Sequence, residues 1–139
     1  MKTVNKLAKQ FMPEHYDLVP ASGQVKIRGR KLGRPSKRLA FHQKGLKVSS
    51  AKIIYKNKNK IIEHEVVRIN HLPTLNQVRL HTAQLHYPGE YEVDFVFSGT
   101  KIDDIKNLEG ADLKNVVLME YFPSIDELEA KESIKISID

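Results

Sequence analysis

Six histidines and one run of basic residues are the groups in this sequence with chemistry to offer. The histidines invite a search for zinc. His64-Glu65-Val66-Val67-Arg68 begins like a zincin helix, which needs two His four residues apart on one helical face with Glu as the base. Arg68 stands where the second ligand must be, and the β-branched segment reads as a strand. Otherwise a ligand set must be assembled across strands, with His64, His71 and His81 around one hairpin. A surface trio of that kind lacks the closed pocket that hydrolysis needs. His81 and His86 fall in strand and turn contexts, where a surface or half-buried histidine is expected. With no cysteine, thiolate metal sites and disulfides are excluded. No nucleophile elbow, phosphate loop or GxGxxG is present. The sequence therefore predicts no catalytic residue, no metal and no cofactor.

The basic run is RGRKLGRPSKR, Arg28 to Arg38, in which six of eleven residues are Lys or Arg. Its Gly-Arg-Pro is the core of an AT-hook, an extended basic segment that lies in a narrow minor groove. Such hooks sit in free tails, whereas strand patterns bound this one on both sides. The expectation is a solvated basic turn. If it contacts an acidic partner or nucleic acid, the candidate residues are Arg28, Arg30, Lys31, Arg34, Lys37 and Arg38, with nucleic acid the less favoured. The charge of the chain is also lopsided. Residues 1–60 carry 16 Lys or Arg against two acids, and residues 61–139 carry seven against 15. Either the two halves attract each other within one domain, or the basic half faces an acidic partner.

The elements that must position these groups are mostly strands. Val25 and Ile27 alternate with Gln24 and Lys26, and Arg38–His42 alternates in the same way. LKVSSAKIIYKN shifts phase around Ser49-Ser50, which predicts a bulge. In EYEVDFVFSG, Tyr91, Val93, Phe95 and Phe97 face one way and Glu92 and Asp94 the other. IIEHEVVRIN, NQVRLHTAQLHY and SIKISI are further strand candidates. Lys56–Lys60 and His71–Asn76 read as hairpin tips, and Pro88-Gly89 as a type II turn. Weaker helical patterns cover Thr3–Phe11, Asp103–Leu108 and Ser124–Glu132, the last with a capping-box spacing from Ser124 to Glu127. Strands at this spacing predict an all-β antiparallel sandwich of roughly eight strands, with one or two short helices.

The 139 residues suffice for a single domain, 1–139, with a real core. At 40% hydrophobic and 29% charged the composition is that of a soluble globular chain. No apolar stretch approaches the ~20 residues that span a bilayer. MKTVNKLAKQF lacks the apolar centre of a signal peptide, so a cytoplasmic location is expected.

Several segments in order carry a resemblance: PEHYDL (Pro13–Leu18), SGQVKI (Ser22–Ile27), LAFHQKGLKV (Leu39–Val48), VRLHT (Val78–Thr82) and YPGEYEVDFVFSG (Tyr87–Gly99). Together they resemble the N-terminal, saddle-shaped β-sandwich domain of zinc metallo-aminopeptidases of the aminopeptidase N type. EYFPSIDELEAKESIKISI extends the likeness: Phe122, Pro123, Asp126, Glu127 and Lys131 match, while Ser124 replaces a Cys and Leu128 a Pro. The family's catalytic motifs are missing, and Thr100–Glu120 holds no Gln for the active site. The resemblance thus implies a non-catalytic module that docks on a catalytic domain and walls its peptide site, whether excised, degenerate or an engineered shortening. Pro13, His15, Tyr16, Gly23, His42 and Gly99 carry over as structural positions, His15 and His42 as strand-end packing residues. The partner implied is an aminopeptidase catalytic domain. Another copy of the chain, covering apolar surface left by a lost partner, is the alternative, and no membrane is involved.

Overall fold

A computed structural model describes residues 6, 7, 9–132 and 134–139. Among the described residues nine strands, against the roughly eight expected, form the two sheets of a sandwich. The strands are β1 (Phe11–Val19), β2 (Gln24–Lys31), β3 (Ser36–His42), β4 (Lys47–Asn57), β5 (Lys60–His64), β6 (Val66–Leu72), β7 (Gln77–His86), β8 (Gly89–Ser98) and β9 (Lys135–Ile138). The larger sheet runs β5-β4-β8-β2-β1-β9 and the smaller β3-β7-β6. All pairings are antiparallel except β1 with β9, which is parallel and departs from the purely antiparallel expectation.

Alternation decides which face of each strand is buried. In β8, Tyr91, Val93, Phe95 and Phe97 are all buried, as their spacing predicts, and Val25 and Ile27 lie beside them in β2. Across the sandwich, β3 and β7 supply Leu39, Phe41, Val78 and Leu80. The two sheets meet where the ring of Phe41 stands edge-on to Phe95, with centroids 5.1 Å apart.

The bulge expected near Ser49-Ser50 is present: the register of β4 on β8 slips between Val48 and Ser50. A second bulge in β1, between Pro13 and His15, lies opposite Gly29 of β2. Proline in a sheet belongs at such an irregularity, and a Cβ on Gly29 would run into the Met12 carbonyl. Gly23 closes the β1–β2 turn at φ +64°, a conformation glycine adopts without strain.

Five local expectations need correction. IIEHEVVRIN is not one strand, because the chain breaks at Glu65 and passes from the edge of the large sheet (β5) to the edge of the small one (β6). Pro88-Gly89 likewise carries the chain between sheets, and Gly89 at φ 157° lacks the geometry of a type II turn. The helix expected over Ser124–Glu132 shrinks to α1, Leu128–Lys131. Ser124 does not cap it, because its backbone N–H and C=O bridge to His42 of β3. Ile102–Leu108 is a 3-10 helix with Asp103 and Asp104 in its first turn. Of the helix expected over Thr3–Phe11, residues 3–5 and 8 lie outside the described residues; Lys6, Leu7, Lys9 and Gln10 are not helical, and Phe11 opens β1.

Candidate functional site

The basic run is less a loop than two strand ends. Arg28 to Lys31 complete β2, a short exposed turn spans Leu32–Pro35, and Ser36 to Arg38 begin β3. Because β2 and β3 belong to different sheets, the six candidate residues are dispersed. Arg28 and Arg30 are exposed on the outer face of the large sheet. Arg34 is exposed in the turn, while Lys37 and Arg38 are exposed on the small sheet. Lys31 departs from the expected contact set: it is 2% exposed, and its ammonium donates to the carbonyls of Leu32 and Arg34 (2.9 Å). It clamps its own turn, and burial lowers its pKa.

On the outer face of the large sheet the lopsided charge resolves. The acidic row Glu90, Glu92 and Asp94 of β8 lies between Lys26, Arg28 and Arg30 of β2 and Lys52 and Lys56 of β4. Lys26 and Lys56 reach Glu92 at 3.9 and 3.6 Å, and Arg28 reaches Asp17 of β1 at 3.4 Å. The two halves of the chain thus neutralise each other strand by strand. A shallow groove of about 640 Å³ crosses this face, lined by Asp17, Gln24, Lys26, Ser50, Lys52 and Asp94. Burial, followed by the neighbouring Glu92 carboxylate, pushes the Asp94 carboxyl up to about 6.

The outer face of the small sheet differs. Arg38 of β3 and Arg68 of β6 lie directly opposite His81 of β7, one on each side. Arg79, two residues before His81, shares that face. None of the three guanidiniums pairs with a carboxylate among the described residues. Burial first, then Arg68, Arg38 and Arg79 in turn, lowers the pKa of His81. The shared face of Arg79 and His81 follows from their spacing along the strand. Arg38 and Arg68 join them only through strand register, which no local pattern reveals.

The histidines do not assemble as a metal centre. Among the described residues no three His, Asp or Glu side chains gather at ligating range. His71 accepts a hydrogen bond from the Val48 N–H at 3.0 Å. His64 instead meets His86, with Nδ1 atoms 2.8 Å apart and rings stacked at 4.9 Å, beside Tyr55 and Tyr91. His86 is fully buried rather than at the surface, and its Nε2 lies 2.9 Å from the Thr82 hydroxyl. Burial, then His64 and Lys31, lowers the His86 pKa to about 4. Near neutral pH one Nδ1 of the pair donates and the other accepts.

A buried polar knot closes the end of the sandwich. The Tyr16 hydroxyl accepts from the Ile125 N–H at 3.1 Å, and its ring stands edge-on to Phe122. Nδ1 of His42 accepts from the Asp126 N–H at 2.9 Å. The Asp126 carboxylate accepts from the Met119 N–H and forms a 2.8 Å ion pair with Lys131, both side chains being almost wholly buried. Lys131 also donates to the Val116 carbonyl at 2.8 Å. His42 is therefore a packing residue, as expected. His15 is partly exposed and bonds Asp17 and Ser137 at 2.8 and 3.0 Å.

No protein-family model matches the chain, and no curated protein matches it.

Proposed function

We propose that this protein is a non-catalytic β-sandwich docking module, built like the N-terminal domain of zinc aminopeptidases and acting by packing against a catalytic domain. The observation that carries this reading is the buried knot. Tyr16, His42, Phe122, Asp126 and Lys131, residues on which the sequence resemblance rests, are scattered from the first strand to the last helix. They meet in one cluster of hydrogen bonds and an ion pair. Their role is to fix the C-terminal segment onto the sandwich, which gives each a physical purpose in a module without chemistry.

The outer face of the large sheet offers the docking surface. Interfaces between domains bury about 600–1,500 Å² and are more polar than obligate ones. A shallow groove bordered by alternating Lys and Asp suits that character.

The test mixes the purified chain with an aminopeptidase catalytic domain lacking its own N-terminal domain. Calorimetry is expected to show one-to-one binding, weakened by the double variant Lys26→Glu, Lys52→Glu. Hydrolysis of an aminoacyl fluorogenic substrate by the chain alone, abolished by a chelator, would overturn the reading, as would the absence of any complex.

A further inference from the structure

We propose that Arg38, Arg68, Arg79 and His81 form a binding site for a single phosphate-type oxyanion on the outer face of the three-stranded sheet. This site is separate from the groove on the large sheet and does not depend on the docking role.

Three observations lead to it. The first is register. Arg38 and Arg68 lie opposite His81 from either side. Neighbouring strands are about 4.8 Å apart, so the two arginine stems rise roughly 10 Å from each other with His81 midway. Side chains of that length can turn their forks inward over the imidazole. Arg79 adds a third guanidinium from the same strand as His81.

The second is charge. Like charges gathered on neighbouring strands of one face repel, and an ordinary surface relieves them with acids. β3, β6 and β7 contain no Asp or Glu at all. The large sheet shows the contrast, since Arg28 there has Asp17 at 3.4 Å. Three guanidiniums around one histidine are thus held together without a counter-charge from the described chain.

The third is unfinished hydrogen bonding. Among the described residues, the buried Arg79 Nε and His81 Nε2 have no partner, and the Arg79 side chain bonds through Nη2 to Gln77 Oε1 at 3.3 Å. Buried polar atoms are nearly always satisfied, so two orphans in one cluster point to a ligand that completes it. Arginine forks match the oxygens of phosphate and carboxylate bidentately. Convergence on one central histidine suits one compact anion. A polynucleotide would want cations spread along a track.

The experiment is a heteronuclear NMR titration of the whole chain with sodium phosphate, total ionic strength held constant with sodium chloride. Saturable shifts are expected at residues 38, 68, 79 and 81. The double variant Arg38→Ala, Arg68→Ala should bind at least about tenfold more weakly. Both side chains are exposed, and a thermal melt confirms that the variant is folded. A second arm titrates a phosphoserine peptide and its unphosphorylated twin. Tighter binding of the phosphopeptide than of phosphate assigns the anion to a partner protein, and equal binding assigns it to the free ion. Shifts that never saturate, that chloride reproduces, or that survive in the double variant would overturn the site. So would binding shown only by a polynucleotide.

Discussion

On the outer face of the six-stranded sheet, β2 and β4 lay their lysines and arginines on either side of the acidic row of β8. On the outer face of the three-stranded sheet, β3, β6 and β7 bring three arginines together with no acid among them. The basic residues of β2, β3 and β4 come from the same lopsided half of the chain, so composition does not separate the two faces. Topology does. β8 brings Glu90, Glu92 and Asp94 into the centre of the large sheet, whereas β6 and β7, from the same half of the chain, bring no acid to the small one. An unbalanced charge is then a property of one face rather than of the protein, and that face is where a charged ligand has most to gain.

The comparison presupposes one core beneath both faces. Phe95→Ala should break it for both at once, because Phe95 is fully buried against Phe41 of the opposite sheet. A loss of about 3–5 kcal/mol is expected in chemical denaturation. A loss below about 1 kcal/mol would mean that the sheets do not share the contact.

Acid should separate the interior from the large sheet. The folded pKa of His86, lowered to about 4, lies below its unfolded value. Its contribution is therefore complete above about 6.5 and is lost as pH falls toward 4, on the order of 2–3 kcal/mol. Asp94 acts oppositely. Its folded pKa is raised to about 6, so its contribution is present at low pH and lost as pH rises through that value. Asp94→Asn should therefore steepen the fall in stability on acidification and raise stability at pH 7. Urea melts across pH 4–7 check both signs; a flatter profile in the variant would contradict them.

The two faces themselves should respond with opposite signs when a charge is removed. Asp17→Asn takes a partner from Arg28 and His15, and should lower stability by about 0.2–1 kcal/mol, less at high salt. Arg68→Gln removes one of the three guanidiniums gathered around His81 and should raise stability by a few tenths of a kcal/mol at low salt in phosphate-free buffer. Thermal melts of both variants in one buffer suffice, and effects of the same sign would erase the distinction between the faces.

Much of the architecture was legible because strand burial is a local, period-2 property. Tyr91 to Phe97 announced their face, Ser49-Ser50 their bulge, and Lys56–Lys60 their hairpin. The Ser124 cap failed because a tertiary bridge to His42 claimed the same backbone groups that a helix start would use. His86 was expected at the surface or half-buried because nothing near it in sequence shows His64 closing over it, 22 residues away.

The sequence by itself determined the class of fold, the residues of the inner faces, and the excess of positive charge in its first half. Tertiary structure decided which strand lies beside which. That choice split IIEHEVVRIN between two sheets, set β9 parallel to β1, and divided the basic run between a neutralised face and an unneutralised one. The physical reason is the range of the forces involved. Alternation is fixed within a few residues by the pleat, whereas cross-strand pairing and charge balance depend on neighbours that only the register of distant segments supplies.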